Sequence, residues 1–164
     1  MRLPIRGLPL AVAVALVGCA ASGSGGAGDA GPTSYKQSVG TAGLIDIQNK
    51  VPKILSRYQY EVERQDESPA LLAIYTRWNG RYPLEDEIAQ GVTEAMTRLI
   101  LTARARARTG GTADVRVVEL TAENRVRQRD STEWRGLMTP MFKDYVDKLA
   151  DELKTELLTG IRVY

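Results

Sequence analysis

The chain has 164 residues, of which 43% are hydrophobic, and it carries 22 lysines and arginines against 20 aspartates and glutamates. Because Arg2 and Arg6 lie in a segment that we expect to be removed, the mature protein is predicted to be neutral, which argues against nucleic acid and against a polybasic membrane patch. There is no histidine and only one cysteine, so no disulfide can form within the chain.

The first eighteen residues have the pattern of a secretory signal. Arg2 and Arg6 precede an apolar run from Leu8 to Val17. This run is too short to span a bilayer as a helix, which requires about 20 apolar residues. We therefore predict a signal peptide over residues 1–18.

The apolar run ends in Leu16-Val17-Gly18-Cys19, which resembles the lipobox of bacterial lipoprotein precursors. The resemblance implies that the Cys19 thiol is acylated, that the chain is cut before Cys19, and that the new amino terminus is acylated as well. Two or three acyl chains exceed the single chain that gives only marginal membrane binding. The alternative is an ordinary secretory signal with an incidental cysteine. By the same resemblance, Ala20 rather than aspartate after the cysteine implies the periplasmic face of the outer membrane.

A glycine-rich segment follows the cysteine. From Ala20 to Ser34 the chain is mostly glycine, serine and alanine and has no apolar periodicity. Such a composition cannot bury enough apolar surface to fold. We predict a lipidated, flexible tether over residues 19–40, with a reach of roughly 20 Å. A single folded domain is predicted to follow over residues 41–164.

The domain is predicted to open with a helix and a hairpin. Apolar residues with helical spacing, interrupted by Pro52, predict a bent or split helix; they are Leu44, Ile47, Val51 and Ile54. Next, the alternating stretch RYQYEVERQ (57–65) and the stretch ALLAIYTRW (70–78) predict two strands joined by a turn at DESP. We interpret Trp78 as a large inward packing residue, the alternative being a contact residue.

The segment NGRYPLEDEIAQG (79–91) predicts a loop with one or two helical turns. Its consecutive acids Glu85, Asp86 and Glu87 raise the possibility of a cation site. Acids that lack the alternation and glycine of a calcium loop are more typical of a solvated surface, however. We therefore predict no metal site.

A second hairpin determines the predicted fold. The stretch TRLILTARARAR (97–108) alternates with a two-residue period, and Gly110-Gly111 is typical of a tight hairpin turn. Pairing Thr109 with Thr112 predicts a complete register. Its apolar pairs are Leu99 with Ala122, Leu101 with Leu120 and Ala103 with Val118. On the other face it opposes Arg98 with Glu123 and Thr102 with Glu119.

The outward face of this hairpin is the candidate partner-facing surface, and its residues are Arg104, Arg106, Arg108 and Glu119. The arginines could form a stripe for nucleic acid or anionic lipid. We favour a solvated face whose charge Glu119 and Glu123 partly neutralise.

The last predicted element is a long helix. Thr139 is a good N-cap and Pro140 suits the first helical position. An apolar stripe then runs to the helix end before Gly160, formed by Phe142, Tyr145, Val146, Leu149, Leu153 and Leu157. The predicted fold is therefore α+β: a two-layer sandwich in which a four-stranded antiparallel sheet of two hairpins carries the N-terminal and C-terminal helices on one face.

The first hairpin also carries a family resemblance. Tyr60, Val62, Asp66, Thr76 and Trp78 fill the outline Gly-Tyr-x-Val-x-x-x-Asp followed by x-Thr-x-Trp. Over roughly residues 51–126 the chain is similar to the compact domains of BamC-like lipoproteins, which accompany the outer-membrane β-barrel assembly machinery. The resemblance implies a role accessory to outer-membrane biogenesis. Those lipoproteins have two such domains and an ordered partner-binding segment, so it implies no specific partner.

Catalysis has few candidate residues in this sequence. Histidine, a spare thiol and metal-ligand spacing are all missing, although a site built from carboxylates, tyrosine or lysine stays open. We expect no enzyme and no cofactor beyond the covalent lipid at Cys19. The expected function is an interaction or assembly module with an envelope protein as partner. The alternative is a carrier of lipid or another apolar ligand, with a cavity lined by Tyr58, Tyr60, Leu72, Leu101, Leu120 and Leu149. A purely structural surface protein is a third reading.

Overall fold

The computed structural model describes residues 34–106 and 115–158. The predicted signal peptide, Cys19, Arg108 and the Gly110-Gly111 turn lie outside the described residues. The described elements, in chain order, are β1 (Ser34–Gly43), α1 (Leu44–Arg57), β2 (Val62–Glu67), β3 (Leu71–Thr76), β4 (Asn79–Arg81), α2 (Glu85–Ile88), β5 (Val92–Ala105), β6 (Val115–Gln128), β7 (Arg135–Gly136) and α3 (Pro140–Leu158).

The fold is α+β with an antiparallel sheet, and the sheet has seven strands rather than the predicted four. The strand order is β1-β6-β5-β3-β2, with β4 also paired to β5 and β7 also paired to β6. Helix placement differs too, because a strand precedes α1 and the one-turn helix α2 lies between β4 and β5. Strand β1 begins at Ser34, inside the segment 19–40 assigned to the tether.

The predicted register of the β5–β6 hairpin is confirmed. Leu99 lies opposite Ala122, Leu101 opposite Leu120, Ala103 opposite Val118, Arg98 opposite Glu123 and Thr102 opposite Glu119. All six apolar members of these pairs are buried. A slip of one residue would turn the whole apolar set toward water, so burial specifies the register strongly.

Helix α1 is one continuous helix through Pro52, so of the predicted bend or split the split does not occur. Its carboxyl end is closed by a Schellman motif. The Tyr60 N–H donates to the Leu55 carbonyl at 2.9 Å and the Gln59 N–H to the Ser56 carbonyl at 3.0 Å. Gln59 therefore has the left-handed conformation, with φ of 64°. Because residues 58–60 close the helix, strand β2 starts at Val62, later than predicted, and the turn moves to residues 68–70.

Replacing Gln59 with glycine is expected to stabilise the domain by about 0.5–1 kcal/mol. The left-handed conformation costs a residue with a side chain about 1–2 kcal/mol, and glycine's extra freedom in the unfolded chain offsets part of that gain. Chemical denaturation monitored by circular dichroism measures the difference. Gln59→Ala is the matched control and should give no gain. A destabilised Gln59→Gly variant would contradict this account of the helix end.

Helix α3 confirms the predicted amphipathic pattern. The Thr139 hydroxyl accepts a hydrogen bond from the Phe142 N–H at 3.3 Å, and Pro140 is the first helical residue. The buried side of the helix consists of Phe142, Val146, Leu149, Ala150, Leu153 and Leu157. The cap and the apolar stripe together account for this helix, which is 19 residues long as far as Leu158.

One core joins the two long helices to the sheet. Buried side chains of α1 and α3 form a single cluster with the inward residues of β1, β3, β5 and β6. A smaller cluster of Val92, Ala95 and Val126 lies at the other end of β5 and β6, packed against Leu137. Among the described helices, none is long and apolar enough to cross a membrane.

Candidate functional site

Within the described residues, the sheet has an open face opposite the core. Successive side chains of a strand point to opposite faces, so the neighbours of the buried leucines in β5 and β6 point away from the two long helices. The open face carries Arg98, Ile100, Thr102 and Arg104 from β5, and Val117, Glu119, Thr121, Glu123 and Arg125 from β6. The described long helices α1 and α3 direct their buried residues into the core on the other side.

Trp78 lies on this open face, which corrects its interpretation as an inward packing residue. The guanidinium carbon of Arg98 lies 5.0 Å from the centre of the Trp78 ring, and that of Arg125 lies 4.6 Å from it. The side chain is half-buried. Two arginines from neighbouring strands thus hold the indole against the sheet. Contacts of this kind contribute about 0.5–1 kcal/mol each at exposed sites.

A further contact between an arginine and an aromatic ring lies at the β2 edge of the sheet. The Arg64 guanidinium lies 4.4 Å from the Tyr75 ring centre, and its Nε lies 3.1 Å from Asp66. Arg98 also forms an ion pair with Glu123 at 2.7 Å, between the two residues that were predicted to face each other. We define the arginine–aromatic surface as Arg64, Tyr75, Trp78, Arg98 and Arg125.

The predicted partner-facing residues are brought together only in part. Arg104 and Arg106 are exposed, and Arg108 lies outside the described residues. Glu119 forms an ion pair with Lys36 of β1 at 3.6 Å. That pairing was not foreseen, because β1 was assigned to the tether.

The acidic triplet 85–87 does not form the solvated cluster expected of it. Glu87 is 0% exposed and accepts two hydrogen bonds from the Arg81 guanidinium, at 2.6 and 2.8 Å. The Asn124 amide and the Leu84 N–H each donate to the same carboxylate at 2.8 Å. Four donated hydrogen bonds thus offset the cost of burying this charge.

The pKa of Glu87 lies below its usual 4.5 as a net result of opposing causes. Burial raises the pKa because it disfavours the charged carboxylate. The hydrogen bonds from Arg81, Leu84 and Asn124, together with the Arg81 charge, outweigh burial and lower it. Glu87 is therefore ionised at neutral pH, where it links β4, α2 and β6.

The other two acids of the triplet have different surroundings. Asp86 accepts a hydrogen bond from the Met141 N–H at 2.9 Å, in the first turn of α3, and Glu85 is exposed. The carboxylates thus diverge from one another. Within residues 34–106 and 115–158, no group of three or more metal-ligating side chains comes together.

A cleft of about 440 Å³ on the helix side of the domain is lined by four tyrosines, Tyr58, Tyr60, Tyr82 and Tyr145. The Tyr145 hydroxyl donates to that of Tyr60 at 3.1 Å, and the Tyr58 hydroxyl donates to Glu152. The bond to Glu152 raises the pKa of Tyr58 to about 12, and burial raises the pKa of both Tyr60 and Tyr145. All three hydroxyls therefore stay protonated at neutral pH, as hydrogen-bonding groups rather than bases.

The sequence-based prediction missed most of the arginine–aromatic surface. Extending the predicted β5–β6 register by two pairs would have placed Arg125 beside Arg98 on the outward face. Trp78 gave no such signal. It lies two residues beyond the end of β3, where the alternation of that strand no longer determines to which face a side chain points.

No protein-family model and no curated protein matches the chain. The lipobox and the BamC-like outline therefore stay predictions that rest on the residues of this chain.

Proposed function

We propose that the protein is a membrane-anchored envelope lipoprotein whose domain is a non-catalytic interaction or assembly module. The observation that carries the proposal is the arginine–aromatic surface, on a sheet face that neither long helix of the described residues covers. The lipid at Cys19 holds the protein at the membrane, and this face binds an envelope protein. An accessory role in outer-membrane biogenesis is the setting that the BamC-like resemblance favours.

The composition of the surface supports a protein partner. Tryptophan, tyrosine and arginine are the residues most enriched among those that dominate binding energy at interfaces. Trp78 and Tyr75 are half-buried and already held by guanidinium groups, so little side-chain freedom remains to be lost on binding. A preorganised aromatic patch of this kind suits docking.

The charges of the face support a protein rather than a nucleic acid. Glu119 and Glu123 lie among its arginines, and Asp66 lies beside Arg64. A phosphate backbone would be repelled by these carboxylates, whereas a protein surface of mixed charge can pair with both signs.

The packing of the core speaks against the alternative of a lipid carrier. For a carrier, the sequence predicts a cavity whose wall includes Leu72, Leu101, Leu120 and Leu149. These leucines are at most 1% exposed and belong to one contiguous core. The cleft beside Tyr58 and Tyr60 is lined by arginine, glutamine and asparagine as well as by aromatic rings. Such a lining suits polar groups better than an acyl chain.

Charge reversal on the open face should abolish partner binding. We expect the double variant Arg104→Glu/Arg125→Glu to lose at least about 10-fold in co-purified partner, because like charges placed across an interface cost several kcal/mol. Quantitative mass spectrometry after gentle detergent solubilisation measures the loss. The matched control is Lys148→Glu/Lys154→Glu, two exposed positions on α3. Equal recovery with both double variants would contradict an open-face interface.

A further inference from the structure

Three exposed side chains with large apolar groups lie at one end of the domain. Tyr82 is 94% exposed, Ile88 57% and Trp134 37%. Tyr82 and Trp134 line one cleft of about 520 Å³, and Ile88 lines a neighbouring cleft; Thr93 belongs to both. We call this region, defined by Tyr82, Ile88 and Trp134, the tether end.

The chain enters the sheet from the direction of the tether end. Ser34, the first described residue, lies opposite Glu123 of β6, and β1 then runs away from the tether end until Gly43 meets Val115. Strand β7 pairs with the next part of β6, where Gly136 lies opposite Arg125. The Trp134 ring lies 5.2 Å from the Arg127 guanidinium. Arg127 follows Glu123, the partner of Ser34, by four residues of β6, which is about 13 Å along the strand.

The length of chain between Cys19 and Ser34 brings this end within reach of the anchor. The fourteen intervening residues span at most about 50 Å even when fully extended. Strand β6 alone is 14 residues long, or roughly 45 Å. A domain joined at Ser34 can therefore rest its tether end on the anchoring membrane easily. To bring the far end of the sheet to that membrane, the tether would have to double back alongside β1 over the roughly 30 Å between Ser34 and Gly43.

The side chains at the tether end suit the headgroup region of a bilayer. Tryptophan and tyrosine prefer that region because each has an apolar ring and a polar group. Charges nearby are mixed: Arg127 pairs with Glu94, and Arg129 is followed by Asp130. The contact therefore rests on the aromatic and apolar groups rather than on attraction to anionic lipid. A weak contact suffices, because the tether keeps the local lipid concentration high.

We propose that the tether end docks on the surface of the phospholipid membrane that holds Cys19, with Tyr82, Ile88 and Trp134 at the level of the headgroups. The inference rests on the proposed lipid anchor. It orients the domain so that the open face, with Arg104 and the arginine–aromatic surface, stands to the side of the domain and stays accessible to a partner.

The two tryptophans of the chain provide the test, since Trp78 lies on the open face and Trp134 at the tether end. The full-length lipidated protein is inserted into zwitterionic phosphatidylcholine vesicles, with and without lipids brominated high on the acyl chain. In Trp78→Phe only Trp134 fluoresces, and we expect bromine to quench most of this emission. In Trp134→Phe only Trp78 fluoresces, and its emission should be quenched clearly less, because Trp78 contacts Arg125, two residues further from the tether end than the Arg127 that contacts Trp134.

The outcomes separate the inference from the proposed anchor. If the protein does not float with the vesicles, the anchor itself is wrong. If it floats but bromine quenches Trp134 no more than Trp78, docking of the tether end is overturned. Adding Tyr82→Ser to Trp78→Phe should reduce the quenching of Trp134. Circular dichroism checks that each variant is folded.

Discussion

Replacing Glu87 with alanine is expected to lower the free energy of unfolding by about 3–5 kcal/mol, the range for breaking a buried ion pair by removing one partner. The loss is large because the Arg81 guanidinium, 16% exposed, would keep its charge without its carboxylate partner. Donors on Asn124 and Leu84 would lose their acceptor as well.

Urea denaturation followed by far-ultraviolet circular dichroism measures this loss. Glu85→Ala is the matched control, since Glu85 belongs to the same one-turn helix and is exposed. Its effect should stay within about 0.5 kcal/mol of zero. Comparable effects of the two substitutions would show that the buried network does not stabilise the domain as described.

Glu87 should also make the stability depend on pH. Its folded-state pKa lies below its usual 4.5, so its stabilising contribution is present above about pH 4.5 and is lost as the pH falls through the folded-state value. The stability difference between the wild type and Glu87→Gln should therefore shrink as the pH is lowered below 4.5. Denaturation curves from pH 7 to pH 3 measure that difference. A difference that grows on acidification would reverse the assigned direction of the pKa shift.

The second large effect concerns the anchor. Cys19→Ala is expected to move nearly all of the protein from the membrane fraction to the soluble fraction. Each buried methylene of an acyl chain contributes about 0.8 kcal/mol of membrane affinity, so losing two or three chains removes far more than the tether end could replace. Flotation of cell membranes on a density gradient, with immunoblotting, measures the distribution.

Ala20→Asp is the matched control for the anchor. It changes the residue after the cysteine and keeps the cysteine itself. By the sorting rule that the lipobox resemblance implies, this variant stays membrane-bound but shifts toward the inner membrane. A Cys19→Ala protein that still floats with the membranes would contradict lipidation as the means of attachment.

Elements with an unbroken period were predictable from the sequence. Strand β5 alternates without interruption from Thr97 to Arg104, and β6 does so over residues 116–126. A single register both buries the apolar side chains and opposes Arg98 to Glu123. Helix α3 combined a capping threonine, a proline in the first position and a continuous apolar stripe. Because several independent signals agreed in each case, both elements could be placed from sequence alone.

Elements whose period is interrupted were missed. Strand β1 directs Tyr35, Gln37 and Val39 inward, and its register then shifts between Ser38 and Gly40, where Gly40 has φ of +119°. This bulge breaks the alternation, and only Val39 and Ala42 of the strand are fully buried. Nothing in so polar and glycine-rich a stretch distinguished it from the tether before it.

Contacts between distant residues account for the errors at the site. Glu87 of α2 was assigned to solvent with its acidic neighbours, because its partner Asn124 lies 37 positions further along the chain, on β6. Trp78 was assigned to the core because its strand was expected to need a large inward side chain. Its position follows from arginines on two strands, one of them 47 positions further along the chain.

Photocrosslinking in intact cells tests the central claim, that the open face binds a partner, most directly. Photoreactive residues are placed at positions 104, 106 and 119 on the open-face side, and at the exposed position 151 of α3 as the control. We predict that one dominant envelope protein is captured from positions 104 and 119, that Arg125→Glu abolishes this capture, and that position 151 captures none of it. Equal capture from position 151 would contradict the claim. No capture from the open face, with lipid co-purifying with the protein, would contradict it as well and would favour the carrier.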